Sequence, residues 1–131
     1  MRVPLLPSVI TMLMRFIYSI YLPCQSKIGK RIVLGYWGLG IVIHNRCVIG
    51  DDCHIDQNVT LGGTSKKREV PILGDRVYVG AGAKILGPVT IGNDVVIGAN
   101  AVVLTDIPSN SVVVGVPAKV IKTGIVKSDY V

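Results

Sequence analysis

The sequence predicts an all-β domain wound as a coil with three short faces, preceded by one helix. Three observations carry this: a strict six-residue period, a glycine beside the repeated aliphatic residue, and a core with almost no aromatic rings. In steps of six from Ile43 the chain places Ile43, Ile49, Ile55, Leu61, Lys67, Leu73, Val79, Ile85, Ile91, Ile97 and Val103, and only Lys67 breaks the aliphatic column. The following position holds Gly50, Gly62, Gly74, Gly80, Gly92 and Gly98. The fifth position of the hexad is small or aliphatic: Cys47, Cys53, Val59, Val77, Ala83, Val89, Val95, Ala101 and Ile107. Neither an α-helix nor a hairpin meander sustains a period of six, whereas stacked faces joined at corners do. Glycine beside the inward residue is expected because a corner asks for backbone angles that other residues resist. One Trp and one Phe among 131 residues leave aliphatic side chains to fill the narrow interior.

From the N-terminus, residues 5–22 are apolar, with Arg2 ahead and Arg15 inside. A spanning helix would have to bury Arg15 and accommodate Pro7, and Tyr21-Leu22-Pro23-Cys24 makes a poor signal-peptide cleavage site. A short packing helix is expected from Ser8 to Tyr21, ended by Pro23, with peripheral membrane contact through residues 5–22 as the alternative. The first coil begins at Ile28-Gly29. Gly35-Tyr36-Trp37-Gly38-Leu39-Gly40 lengthens the step from Leu34 to Ile43 and should bulge out. Gly62 to Pro71 is polar and basic and contains the Lys67 break, so it should leave the coil as an exposed loop, with the period in register on either side. Ser111 to Lys122 reads as a closing strand with a Gly115-Val116-Pro117 turn, and Thr123 to Val131 as a frayed tail. The expected division is a helical segment 1–27, a coiled domain 28–122 and a tail 123–131.

The net charge of +6 favours an anionic partner, and without a recognition motif or aromatic interleaving of the basic residues that partner is not nucleic acid. Cys24, Cys47 and Cys53 form no zinc or disulfide pattern and read as reduced thiols of a cytoplasmic protein, or of one at the inner face of the membrane. Cys47 and Cys53 fall on the inward column, where Cys is inert filling rather than a nucleophile. Two histidines cannot make a three-histidine zinc site, so no metal is expected.

The run Ile91 to Val103, followed by Asp106-Ile107-Pro108 and by Gly115 to Ile121, resembles the terminal coils of hexapeptide-repeat acetyltransferases. Gly40-Ile41-Val42-Ile43, Gln57 to Thr64 and Gly80 to Gly87 are most similar to the serine acetyltransferases. The resemblance covers residues 28–122. It implies a left-handed parallel β-helix, a homotrimer, and acetyl-CoA bound between neighbouring subunits. Two departures accompany it. Where that family carries a catalytic His, usually after an Asp, this chain has Trp37 after Tyr36. Where it carries a second His in the loop, this chain has Val70. Short relatives of this pattern resemble acetyltransferases of capsule and exopolysaccharide synthesis.

Acetyl transfer to a hydroxyl needs a base for the attacking oxygen, and neutral imidazole suits that role. His44 occupies a corner one coil before Gly62, so it should stack beneath the loop and beside the Gly-rich bulge; it is the first candidate. His54 is the second, on the wall of the coil with Ile72 and Thr90 stacked above it. Asp51, Asp52 and Asp56 are candidates to orient an imidazole across a subunit boundary. For the cofactor, the small corners Ala81 and Ala99 share one column and leave room for a pantetheine arm, and Gly62 and Gly63 offer amides. The resemblance places Lys119 and Lys122 near the phosphates, and Lys66, Lys67 and Arg68 are further cations. The expected activity is acetyl-CoA-dependent O-acetylation of a sugar hydroxyl in surface polysaccharide synthesis. The alternatives are serine O-acetylation in cysteine biosynthesis and a non-catalytic β-helical trimer that binds CoA or serves as a scaffold.

Overall fold

The computed structural model describes residues 5–131. After helix α1 (Leu6–Tyr18) come fourteen short strands: β1 (Lys27–Ile28), β2 (Val33–Leu34), β3 (Val42–Ile43), β4 (Val48–Ile49), β5 (His54–Ile55), β6 (Thr60–Gly62), β7 (Ile72–Leu73), β8 (Tyr78–Val79), β9 (Lys84–Leu86), β10 (Thr90–Ile91), β11 (Val96–Ile97), β12 (Val102–Val103), β13 (Ser111–Val114) and β14 (Lys119–Thr123). They form the three walls of a parallel β-helix, in the orders β1-β4-β7-β10, β2-β5-β8-β11-β13-β14 and β3-β6-β9-β12. Only the last pair, β13 with β14, is antiparallel, a hairpin that closes the second wall.

The aliphatic column and the small column are the core. Ile43, Ile49, Ile55, Leu61, Leu73, Val79, Ile85, Ile91, Ile97 and Val103 are all buried, as are Cys47, Cys53, Val59, Val77, Ala83, Val89, Val95 and Ala101. Lys67 is exposed in the loop.

The glycines work differently from the expectation. None of Gly50, Gly74 and Gly92 has a positive φ; those angles fall on Arg31, Asp52, Arg76, Asp94 and Asn110, and on Asn58 and Asn100. What the three glycines supply is room. A Cβ on Gly50, Gly74 or Gly92 would collide with the side chain of Asp75, Asn93 or Ser109 from the next coil.

The coil is not uniform in register. Val42 pairs with Thr60 and Tyr78 with Val96, eighteen residues apart. Across the bulge the step is twenty-one, as in Val33 with His54, and across the loop it is twenty-four, as in His54 with Tyr78. The loop therefore removes a whole hexad from the stack. The inward phase survives, but the residue above His54 is Tyr78 and not Ile72, with Val96 in place of Thr90 beyond it.

The termini also differ from expectation. Helix α1 starts two residues earlier than Ser8 and ends at Tyr18, because Ser19 turns left-handed and its N–H closes on the Arg15 carbonyl. Ile20 is already buried, and Tyr21 bridges to Val42. The helix packs little: none of its residues is buried, Met14 touches the core, and Leu13, Phe16 and Ile17 are exposed. No helix among the described residues is long and apolar enough to cross a membrane. The tail is docked rather than frayed. Ile125 is buried against Val96 and Val112, its carbonyl accepts from Asn110 Nδ2 at 2.8 Å, and Lys127 Nζ reaches the Asp52 carbonyl at 2.8 Å.

Candidate functional site

His44 follows β3 at a corner, and its backbone N–H donates to the Leu61 carbonyl at 2.9 Å, which sets it one coil below Gly62. Its half-buried ring lies against the base of the loop, where a Cβ on Gly63 would touch Cδ2 at 4.0 Å. The Arg46 backbone N–H donates to His44 Nδ1 at 3.2 Å, and Ser26 Oγ donates to the His44 carbonyl at 3.3 Å. The loop is anchored at its return: Val70 is buried in the core, and the Arg46 guanidinium donates to the Arg68 carbonyl. Val70 thus closes a seam, and Lys66, Lys67 and Arg68 point to solvent.

The bulge sits elsewhere. Gly35–Gly38 forms a 3-10 turn between β2 and β3, so bulge and His44 stand at opposite ends of β3 rather than side by side. Tyr36 and Trp37 take left-handed angles (φ 49° and 59°) with their rings exposed, while Gly38 packs on Ile20.

The first residue of the bulge meets polar side chains at the second wall. His54 Nε2 lies 3.1 Å from Asp56 Oδ1, Tyr78 donates its hydroxyl to Asp56 Oδ2 at 2.6 Å, and the two rings meet edge to face at 5.3 Å. A Cβ on Gly35 would run into the Asp56 carboxylate, so the cluster abuts the first residue of the bulge. Burial first, and the bond to Asp56 second, push the Tyr78 hydroxyl up to about 12. The neighbouring acids serve the coil: Asp51 accepts the Lys30 N–H at 2.7 Å, and Asp52 takes both Nε and Nη2 of Arg31. Of the three acids proposed to orient an imidazole, Asp56 meets one within its own chain. Sequence reasoning missed Tyr78, because its place above His54 depends on the looped-out hexad. Cys47 and Cys53 are fully buried, and burial pushes the Cys47 thiol up to about 11.

The cofactor candidates fall into two groups. Ala81 and Ala99 share a corner, with the Asn100 N–H on the Ala81 carbonyl at 2.9 Å, and Lys119 pairs with Val114 beside it. Lys122 lies further along β14, over the Tyr130 ring. Gly62 and Gly63 stand at the other end of β9, where the Gly87 N–H donates to the Gly62 carbonyl at 2.9 Å. No group of three or more His, Cys, Asp or Glu among the described residues is placed to hold a metal ion.

Comparison with known proteins agrees with the coil. The family described as bacterial transferase hexapeptide (six repeats) matches residues 71–105. A serine acetyltransferase of Staphylococcus aureus is 47% identical over 115 residues, covering 86% of this chain and 54% of that protein. One of Helicobacter pylori is 50% identical over 115 residues, covering 86% of this chain and 66% of that protein. The crystal structure of serine acetyltransferase from Brucella abortus in complex with coenzyme A superposes with a TM-score of 0.85 at 33% identity, over 88% of this chain and 47% of that one. The chain spans about half to two thirds of the length of these relatives.

Proposed function

The chain belongs to the hexapeptide-repeat acetyltransferases and is similar to the serine acetyltransferases, and from that premise we propose that it transfers acetyl from acetyl-CoA to a hydroxyl group of a small molecule. The observation that carries this is the 47% identity to a serine acetyltransferase across 86% of the chain, which includes the loop, the bulge and the Ala81–Ala99 corner. Serine is the acceptor that the relatives support. The sugar acceptor placed first on sequence grounds has less support, and rests on Trp37 and Val70 standing where histidines were expected.

The donor would lie with its pantetheine arm along Ala81 and Ala99, beside the Lys119 cation, and the acceptor between that corner and the loop of a neighbouring protomer. Within one chain these regions occupy opposite ends of β9. A homotrimer that sets one protomer's Ala81–Ala99 corner against its neighbour's loop would unite them. Release of CoA thiol, followed with L-serine and with nucleotide sugars, tests the acceptor. Serine-dependent release is the expected result, and release with sugars alone would reassign it. Sedimentation should give three chains per particle.

A further inference from the structure

We propose that the general base of this transfer is His54, acting through Nδ1, with Asp56 and Tyr78 as the residues that position it. The proposal rests on the acetyltransferase reading above and reverses the order in which the sequence ranks the two histidines.

The argument starts from hydrogen-bond direction. A neutral imidazole has one N–H and one lone pair, and its partners decide which nitrogen holds which. In His44 the Arg46 N–H occupies the Nδ1 lone pair, so the proton resides on Nε2. That tautomer presents a donor to the space below Gly63. It is suited to a developing oxyanion and unsuited to taking a proton. In His54 the pattern is opposite. Nε2 faces a carboxylate oxygen and must carry the proton, which leaves the Nδ1 lone pair without a partner among the described residues. The side chain is 24% exposed.

The carboxylate is itself fixed. Asp56 uses one oxygen for the imidazole and accepts the Tyr78 hydroxyl on the other. With its hydroxyl held up to about 12, Tyr78 remains a donor throughout the neutral range. Val33 lies below and Tyr78 above, Gly35 of the bulge abuts the carboxylate, and Arg31, Asp52 and Lys127 gather at the far end of β5.

The bulge makes this wall a site. Tyr36 and Trp37 are consecutive non-glycine residues in the left-handed region, a strained pairing for L side chains. The first residue of the bulge, Gly35, abuts the Asp56 carboxylate, and the two rings that follow it are exposed. Such strain gathers where a chain shapes a binding surface. In the reaction, the acceptor hydroxyl gives its proton to Nδ1 as its oxygen bonds to the thioester carbon. The tetrahedral intermediate then expels the CoA sulfur, which takes the same proton from Nδ1. Asp56 stabilises the imidazolium in between.

The test uses the full chain, with acetyl-CoA and whichever acceptor supports thiol release. His54→Ala and His54→Gln should each lower kcat roughly 10²–10⁴-fold with acetyl-CoA affinity unchanged. Asp56→Asn should lower kcat and displace the acidic limb of its pH profile, and Tyr78→Phe should do so less. Long-range nitrogen–proton spectra of the imidazoles should show the His54 proton on Nε2, a readout independent of turnover. Full kcat in both His54 variants, or a proton found on Nδ1, would overturn the proposal while leaving acetyl transfer intact. Absence of acetyl transfer by the native chain to any acceptor would overturn the parent reading and this one together.

Discussion

The Asp75 carboxylate accepts the backbone N–H of Asp51 at 2.8 Å from the coil above. The same bond recurs along that edge, from Lys30 N–H to Asp51, Asp75 N–H to Asn93 and Asn93 N–H to Ser109. Each side chain passes across the bare Cα of the preceding glycine, which explains a glycine with no need of unusual angles.

This ladder predicts that Asp75→Ala destabilises the fold by about 1–2 kcal/mol, since it leaves the Asp51 amide unpaired. Gly50→Ala should do at least as much, by forcing the Asp75 carboxylate away. Urea midpoints of both variants test this; a midpoint unchanged in either would mean that solvent replaces the bond without cost.

The aliphatic column predicts a larger loss. Ile91 is 1% exposed, and Ile91→Ala should cost about 2–5 kcal/mol through lost transfer energy and a cavity. Thermal unfolding of the variant measures it.

Alkaline stability should depend on Cys47. Its folded thiol titrates at about 11 against 9.0 for an ordinary one, because burial disfavours the thiolate. The unfolded chain therefore loses this proton first, and stability that is fully present below pH 9 is lost as pH rises through about 11. Denaturant unfolding at about pH 8 and pH 11 should show a fall on the order of 2 kcal/mol from this group. Cys47→Val, which matches the valines of that column, should flatten it.

The donor groove yields a binding prediction. Ala99→Trp should abolish acetyl-CoA binding with the circular dichroism of the coil retained, because the indole would fill the corner beside Ala81. Lys119→Ala should weaken binding by about 1–3 kcal/mol, the size of a charge-assisted phosphate bond. Calorimetric affinities equal to the native chain's in both variants would place the donor elsewhere.

The inward columns, the bulge and the loop are legible in the sequence because each is a local statement about period. What stacks on what is a different quantity. Removing one hexad at the loop leaves every other inward residue inward, so the period resumes in register beyond Lys67, yet it exchanges Ile72 for Tyr78 above His54. The docking of Ile125 was hidden for a related reason. Its partners Val96 and Val112 face outward, and an outward valine looks the same whether water or a tail covers it. The helix is shorter than its sequence suggests because Pro23 is a visible stop, whereas Ser19 ends the helix through its backbone alone.

A solenoid resembles a zipper, because each coil grips only its neighbours and an open end can unravel one rung at a time. The tail changes that. Lys127 takes the Asp94 carboxylate through its amide at 3.2 Å and the Asp52 carbonyl through its ammonium at 2.8 Å, a contact between residues seventy-five positions apart. The last segment of the chain is thereby stitched to an early rung, past the rungs between them. Fraying at the C-terminal end cannot begin without first releasing that stitch, so the coils should let go together, as one cooperative body, instead of in sequence from the tip.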